Sequence, residues 1–356
     1  MKKIIYWSPV LSNIATRKAV IDSAVSLKKY SKEYDVTIIN SIGEFDDFRE
    51  NKYFVKIKDF YKKKQHYSGT GFWKTRFSYI KIFLNNFFVL KNYLKKEKPD
   101  FIIIHLITSL PLILLILFKF ETKFILRISG LPKMTILRFL LWKLALKKIY
   151  LITCPTDMTK NYVNNLNLTN ERKVITLPDP ILKISDFIGI KINNTNIEHY
   201  FVAAGRLTKQ KNFLFLIKTF KKLYEKKIIT EKLIILGEGE LYNELKNYID
   251  INNLEKKIFL LGYKKNSYKY FYNAKAFILS SLWEDPGFVL IEAAFCKSTL
   301  ISSDCPNGPF EFFKNKNNGF VFQSNNEKSL INSIVNFNKS NKNEIKEKKL
   351  NALKES

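Results

Sequence analysis

At 356 residues the chain exceeds what one hydrophobic core usually organises, so two domains of ordinary size are expected. A hydrophobic content of 46% excludes a largely disordered chain. The 60 Lys and Arg against 32 Asp and Glu leave a formal charge of +28, which attracts polyanions: nucleic acid, nucleotide phosphates or an anionic membrane face. Cys154, Cys296 and Cys305 have neither metal-ligand spacing nor the even count of a disulfide framework, which points to a reducing cytoplasm and argues against a structural zinc site.

The first apolar run, KIIYW, is too short for a secretory signal and reads as a buried strand. It leads into Ser8-Pro9-Val10-Leu11-Ser12, with a helix start near Ser12. An amphipathic stretch from Thr16 to Tyr30 follows, then the strand DVTIIN at 35 to 40 and a second amphipathic stretch from Ile80 to Leu94. FIIIHLITSLPLILLILF, residues 101 to 118, approaches the length of a membrane span. The interruptions at His105, Thr108, Ser109 and Pro111 favour strand, turn and short helix instead. KFILRIS and KIYLITC complete the first set of strands. Strands alternating with helices imply a parallel sheet covered on both faces.

After the polar segment 190 to 200 the pattern restarts with YFVAAG, KLIILG, IFLLG, AFILSS and TLISS. The expectation is therefore an α/β chain of two Rossmann-like doubly wound domains, 1–190 and 191–356. In such sheets ligands bind beyond the carboxyl ends of the strands, and a ligand held by both domains would sit in a cleft between them.

Three strand ends of the second half carry chemistry. Gly205-Arg206-Leu207-Thr208-Lys209-Gln210-Lys211-Asn212 turns on a glycine and offers an Arg fork and a Lys point charge to a diphosphate. Gly237-Glu238-Gly239 is a glycine-rich strand-to-helix turn without the full dinucleotide spacing, and its acids suit a base or ribose better than a phosphate. In AFILSS-LWEDPGFVLIEAAF, Glu284 lies in a loop and a helix starts near Phe288, carrying Glu292 one turn in. The N–H groups of Gly287, Phe288 and Val289 then face an anion at the positive end of that helix. The later Ser303-Asp304-Cys305-Pro306-Asn307-Gly308-Pro309 is rich in turn formers and reads equally as a tight connection or a donor contact.

In this order GRLTKQKN, GEGELYNEL, GYKKNSYKYFYNAKAFILSSLWEDPGFVLIEAA and SSDCPNGPFEF resemble the donor-binding domain of retaining glycosyltransferase family 4, of the glycosyl transferases group 1 and the GT-B fold. The Glu284-x7-Glu292 spacing is similar to that family's paired glutamates. The resemblance implies that Arg206 and Lys211 bind the donor diphosphate and that Glu284 contacts the donor sugar. It further implies that Glu292 holds the ribose, that Gly287, Phe288 and Val289 give amides to phosphate, and that Tyr263 lies near the base. Gly205 and Gly237 would let the donor approach. No metal-bridging D-x-D pair accompanies these residues in this half, as is usual for this metal-independent fold. No cofactor is implied, since the nucleotide sugar is a substrate. The implied reaction is retaining transfer of a hexose or N-acetylhexosamine, UDP-linked, to a saccharide or polyprenyl-linked glycan acceptor in capsule or lipopolysaccharide O-antigen assembly.

The first half resembles the family less. The glycine pair common after the first strand is absent, and where relatives place a histidine, FILRISG has Arg127, Ser129 and Gly130. His105 is the next candidate at a strand end, with His66 and His199 behind it. Between Asn51 and Lys98 thirteen Lys or Arg stand against two acids among aromatic residues, and PKMTILRFLLWKLALKK is a basic amphipathic helix. Both read as contacts with an anionic membrane surface, placing the protein peripherally on the inner face of the cell membrane. The basic residues are spread along the chain with no helix-turn-helix, zinc-finger or RNP signature, so nucleic acid is not the expected partner. A non-catalytic sugar-nucleotide-binding subunit or an epimerase of related architecture would share the two-domain plan. The intact carboxylate pair argues against the first and the motif order against the second.

Overall fold

The computed structural model describes all residues except 12–14, 52, 62–66, 68–71, 183–186, 188–199 and 315–316. The chain divides into two compact units, Met1–Ile181 and Leu182–Ser356. Residues 190–199, where the sequence places the boundary, lie outside the described residues, as do Ser12, His66 and His199.

The first unit is a seven-stranded parallel sheet in the order β3-β2-β1-β4-β5-β6-β7. Its strands are β1 (Lys2–Trp7), β2 (Tyr34–Asn40), β3 (Lys56–Asp59), β4 (Phe101–Ile104), β5 (Lys123–Arg127), β6 (Leu151–Cys154) and β7 (Val174–Thr176). Helix α1 (Ala15–Tyr30) covers one face. On the other lie α2 (Phe72–Glu97), α3 (Ser109–Leu117), α4 (Ile136–Ala145) and α5 (Asp157–Asn165), as right-handed crossovers require when the strand order reverses. β1 shows the division: Ile4 and Tyr6 pack with Val20 and Ala24 of α1, while Ile5 and Trp7 pack with Leu90, Leu110 and Trp142 on the far side. Residues 101 to 118 form a strand, a turn and a helix, and among the described residues no helix is long and apolar enough to cross a membrane.

The basic stretch from Asn51 to Lys98 is not one element. Its start supplies β3, an edge strand paired in register with β2 through Ile38 and Ile57. Its end is one 26-residue helix, α2, longer at both ends than Ile80 to Leu94. The short strands β3 and β7 are weak signals in the sequence because KIKD is mostly polar and VIT is only three residues long.

The second unit is a six-stranded parallel sheet in the order β10-β9-β8-β11-β12-β13. Its strands are β8 (Tyr200–Ala204), β9 (Lys232–Leu236), β10 (Ile258–Leu260), β11 (Ala276–Leu279), β12 (Leu300–Ser303) and β13 (Phe320–Phe322). Its helices are α6 (Phe213–Glu225), α7 (Tyr242–Ile251), α8 (Tyr268–Asn273), α9 (Phe288–Phe295), α10 (Gly308–Phe312), α11 (Glu327–Lys339) and α12 (Lys342–Glu355). The lysine-rich end of the chain is therefore helical, and Ala352 of α12 is buried in the core that contains Leu290 and Ala293 of α9. The order of the sheet reverses between β8 and β11, so their carboxyl ends flank the switch point where such sheets take ligands.

At that edge the turns after β8, β9 and β10 are joined by backbone hydrogen bonds. Gly205 N donates to the Leu236 carbonyl, Gly237 N to the Gly262 carbonyl and Leu207 N to the Glu238 carbonyl, each at 2.9 Å. A Cβ on Gly237 would lie 1.9 Å from the Gly205 carbonyl oxygen, at a φ of +134° that side chains rarely adopt. Neither backbone can move without breaking these bonds. Gly237→Ala is expected to lower the stability of this unit by about 2 kcal/mol or more in urea unfolding.

Candidate functional site

The loop after β8 starts at Gly205, whose missing side chain makes room for Lys211: an added Cβ would stand 2.7 Å from the Lys211 Cε. The chain tightens into a 3₁₀ turn over Lys209–Lys211, and Asn212, at φ 55°, passes it into α6. Leu207 is buried and anchors the loop, its carbonyl accepting from Leu241 N at 3.0 Å. This leaves Arg206 exposed, its guanidinium without a hydrogen bond or ion pair to any described residue.

The loop after β11 begins with Ser280 and Ser281, both buried, and carries Glu284, only 6% exposed. Lys211 Nζ forms an ion pair with Glu284 Oε1, the two side chains being nearly buried. Ser281 Oγ donates to the same Oε1 at 2.6 Å. The Glu284 carboxylate is thus aimed by two donors through one oxygen, and Oε2 has no protein partner among the described residues. Burying a carboxylate is costly unless it gains a countercharge and hydrogen bonds, and this one has both in Lys211 and Ser281.

The two loops are joined further by Ser280 Oγ donating to the Lys211 carbonyl (2.8 Å), Leu282 N to the Gln210 carbonyl (2.8 Å) and Gln210 Nε2 to the Trp283 carbonyl (2.9 Å). From β12, Ser303 Oγ donates to the Ser281 carbonyl at 2.7 Å, and Asn307 Nδ2 to the Asp285 carbonyl at 3.2 Å. The segment Ser303 to Pro309 therefore supports the Glu284 loop from behind. The serine hydroxyls and side-chain amides that hold the carboxylate in place are not evident from the motif; the only signal is the Ser-Ser pair that ends both AFILSS and TLISS.

Gly287, at φ 77°, caps α9 in the left-handed conformation, which suits glycine. The first helical amide bonded back is Leu290 N, to the Gly287 carbonyl at 2.8 Å. The Gly287, Phe288 and Val289 amides lie ahead of it, among those a helix leaves without internal acceptors. Glu292 is half-buried within the first turns of α9. Tyr263 is exposed beyond β10, its backbone N–H donating to Glu238 Oε1 at 3.4 Å. The structure thus joins Lys211 to Glu284, keeps Arg206 on the same turn as Lys211, and places Tyr263 beside the turn after β9.

In the first unit the sheet reverses between β1 and β4. His105 follows β4, is buried, and has no hydrogen-bond partner for Nε2 among the described residues. Ser8 after β1 and Ser129 after β5 have buried, unpartnered hydroxyls as well. Arg127, at the end of β5, is committed to packing: Nε donates to Asp179 Oδ1 (2.8 Å), Nη1 to Thr153 Oγ1 (3.2 Å) and Nη2 to the Leu177 carbonyl (2.9 Å). Burial, reinforced by the Arg127 charge, pushes the His105 imidazole down from 6.5 to about 3. His105 is therefore a neutral imidazole at physiological pH.

Among the described residues no three His, Cys, Asp or Glu side chains gather as a metal-ligating group.

The two Rossmann-like units give the chain the GT-B architecture of glycosyltransferases, and residues 189–354 match the family model described as Glycosyl transferases group 1. The second unit is therefore similar to that family over almost its whole length. It is 34% identical over 253 residues to an uncharacterized glycosyltransferase of Methanocaldococcus jannaschii, covering 65% of this chain and 62% of that protein. It is also 34% identical over 137 residues to the N-acetylgalactosamine-N,N'-diacetylbacillosaminyl-diphospho-undecaprenol 4-alpha-N-acetylgalactosaminyltransferase of Campylobacter jejuni, covering 38% and 36%. The match thus spans less than two thirds of the length of these relatives. Among solved structures, a glycosyltransferase from Rickettsia africae superposes with a TM-score of 0.77 at 16% identity over 99% of this chain and 93% of that one. An Anabaena protein crystallised with UDP and glucose superposes with 0.72 at 15% identity over 99% and 94%. At these identities the likeness shows the fold alone.

Because the folded-state His105 value is depressed, the unfolded chain binds the proton first on acidification. Stability is then complete above about 6.5 and is lost as pH falls toward 3. Between pH 7 and 5 the melting temperature of His105→Gln is expected to fall less than that of the parent; equal slopes would show that His105 is not held neutral by the fold.

Proposed function

We propose that the protein is a retaining glycosyltransferase that moves a hexose or N-acetylhexosamine from a UDP-linked sugar to a saccharide borne on polyprenyl diphosphate, at the inner face of the cell membrane, in surface polysaccharide assembly. The observation that carries the reading is the buried Lys211–Glu284 pair with Ser281 behind it, at the strand ends flanking the switch point of the second unit. A structural ion pair does not require an unpartnered Arg206 on the same turn, nor a glycine-capped helix start following the carboxylate.

In this reading the donor runs along the edge. Arg206 and the Gly287, Phe288 and Val289 amides receive the diphosphate. Lys211 has three N–H donors, so it can hold Glu284 with one and a phosphate oxygen with another. The Glu284 Oε2 accepts a hydroxyl of the sugar, Glu292 accepts ribose hydroxyls, and Tyr263 lies toward the base. The two glutamates are clamps at separate points along one ligand, unlike the acid and base carboxylates that flank the scissile bond in a glycosidase.

The chemistry follows from charge. The C1–O bond to the diphosphate breaks with its electron pair leaving on phosphate, while Arg206, Lys211 and the helix amides stabilise the negative charge that develops. The acceptor hydroxyl attacks the same face of C1, and its proton passes to the departing phosphate oxygen. Neither a protein nucleophile nor a metal is needed in this scheme. His105, Ser8 and Ser129 offer polar groups at the corresponding edge of the first unit, where the acceptor is assigned. The lipid-linked acceptor is supported by the Campylobacter relative, whose name specifies a diphospho-undecaprenol substrate, and the UDP moiety by the Anabaena structure that contains it.

Arg206→Ala removes an exposed side chain, so its melting temperature is expected to match the parent while donor turnover falls roughly 100-fold or more. Unchanged turnover would remove Arg206 from the site. In a thermal-shift panel, UDP and UDP-sugars are expected to raise the melting temperature more than GDP- or ADP-sugars, because a ligand bound only by the native state stabilises it.

A further inference from the structure

Helix α4 has the sequence ILRFLLWKLA, yet it buries only Trp142 and Ala145 against the sheet. Ile136 and Leu137 are 81% and 80% exposed, and Leu140 and Leu144, one and two turns on, are exposed with them. On α2 the outward stripe is Phe77, Ile80, Leu84 and Phe88, again at helical spacing and again exposed. Helix α3 packs against both, and Leu117 at its end is exposed as well. The three helices lie on one face of the first sheet and turn to solvent two apolar stripes, one on α2 and one on α4, with α3 between them; exposed apolar residues grouped in this way mark interaction surfaces.

The charges on this face have one sign. Six Lys or Arg stand on α2 and two on α4, and the only acid across the three helices is Glu97, at the last position of α2. Two of the lysines lie over rings: Lys91 Nζ is 4.7 Å from the Phe118 centroid and 5.6 Å from that of Phe88, and Lys95 is 5.5 Å from Phe118. Their stems run along apolar surface while their ammonium groups stay at its margin, as at a lipid headgroup boundary.

We propose that the outward face of α2, α3 and α4 docks onto an anionic lipid leaflet, with the α4 and α2 stripes entering the interface and the flanking cations meeting acidic headgroups. A second copy of the chain fits the surface poorly. A twofold dimer through this face would set eight cations against eight, with only one acid on each side to offset them. The inference rests on the proposed function only in that a polyprenyl-borne acceptor lies in the same membrane.

The test is flotation of the full-length protein with vesicles that contain neither donor nor acceptor. Vesicles of phosphatidylcholine with phosphatidylglycerol are expected to carry the protein up the gradient; phosphatidylcholine alone, or added salt, is expected to release it. Leu137→Asp combined with Leu140→Asp, at exposed positions outside the donor site, is expected to reduce the floated fraction roughly tenfold or more. Elution volume and UDP affinity by calorimetry should stay unchanged. Flotation of the variant like the parent, failure of the parent to float, or equal flotation with neutral vesicles would overturn the assignment. So would a parent dimer that the variant splits into monomers, which would assign the face to a second copy. Glycosyl transfer is measured separately: failure to float would remove the membrane location and leave the transfer reaction standing, while loss of transfer would leave the docking face standing.

Discussion

A lysine and a glutamate removed from water have to neutralise one another, and much of the second unit is arranged so that Lys211 and Glu284 can. They are 73 residues apart. They meet because β8 and β11 are neighbours at the switch point and because Gly205 leaves the lysine stem a path across the backbone. Ser281, Ser303 and Asn307 then keep the glutamate loop from relaxing away. The pair is costly to desolvate and is not a natural source of stability, which is why its position at the ligand edge of the sheet carries functional weight.

Much of the second unit is legible in the sequence. The buried strands are short runs of Ile, Leu, Val, Ala and Phe between turn residues, and each motif follows a strand directly, so that assigning the strand places the motif. The Glu284-x7-Glu292 spacing locates a loop and a helix start correctly, since Gly287 and Pro286 leave few other places for α9 to begin. The serine hydroxyls are not legible, because a hydroxyl's partner depends on loop geometry and not on local pattern. The C-terminal helix α12 is equally obscure: its sequence is polar almost throughout, and Ala352 is its one buried anchor.

The first unit is legible as a fold and less so as a site. β1, β2, β4, β5 and β6 follow from apolar runs, while β3 is an edge strand whose side chains are largely in water. Arg127, at the position where a histidine is sought, instead packs the end of the sheet through Asp179, Thr153 and Leu177. What remains at the β1, β4 and β5 ends is a set of buried polar atoms, His105 Nε2 and the Ser8 and Ser129 hydroxyls, without partners among the described residues. Buried polar groups are seldom left unsatisfied without reason, and a saccharide hydroxyl is the partner that the proposed reaction would bring.

A donor held along the Lys211–Glu284 edge, with its departing diphosphate stabilised while the acceptor attacks from the same side, must give a product whose transferred sugar keeps its anomeric configuration. The most direct test is proton NMR of the product formed from a UDP-sugar of defined anomeric configuration with a polyprenyl-diphosphate saccharide as acceptor. Transfer with the donor's anomeric configuration retained is the predicted result. Transfer with inversion would contradict it.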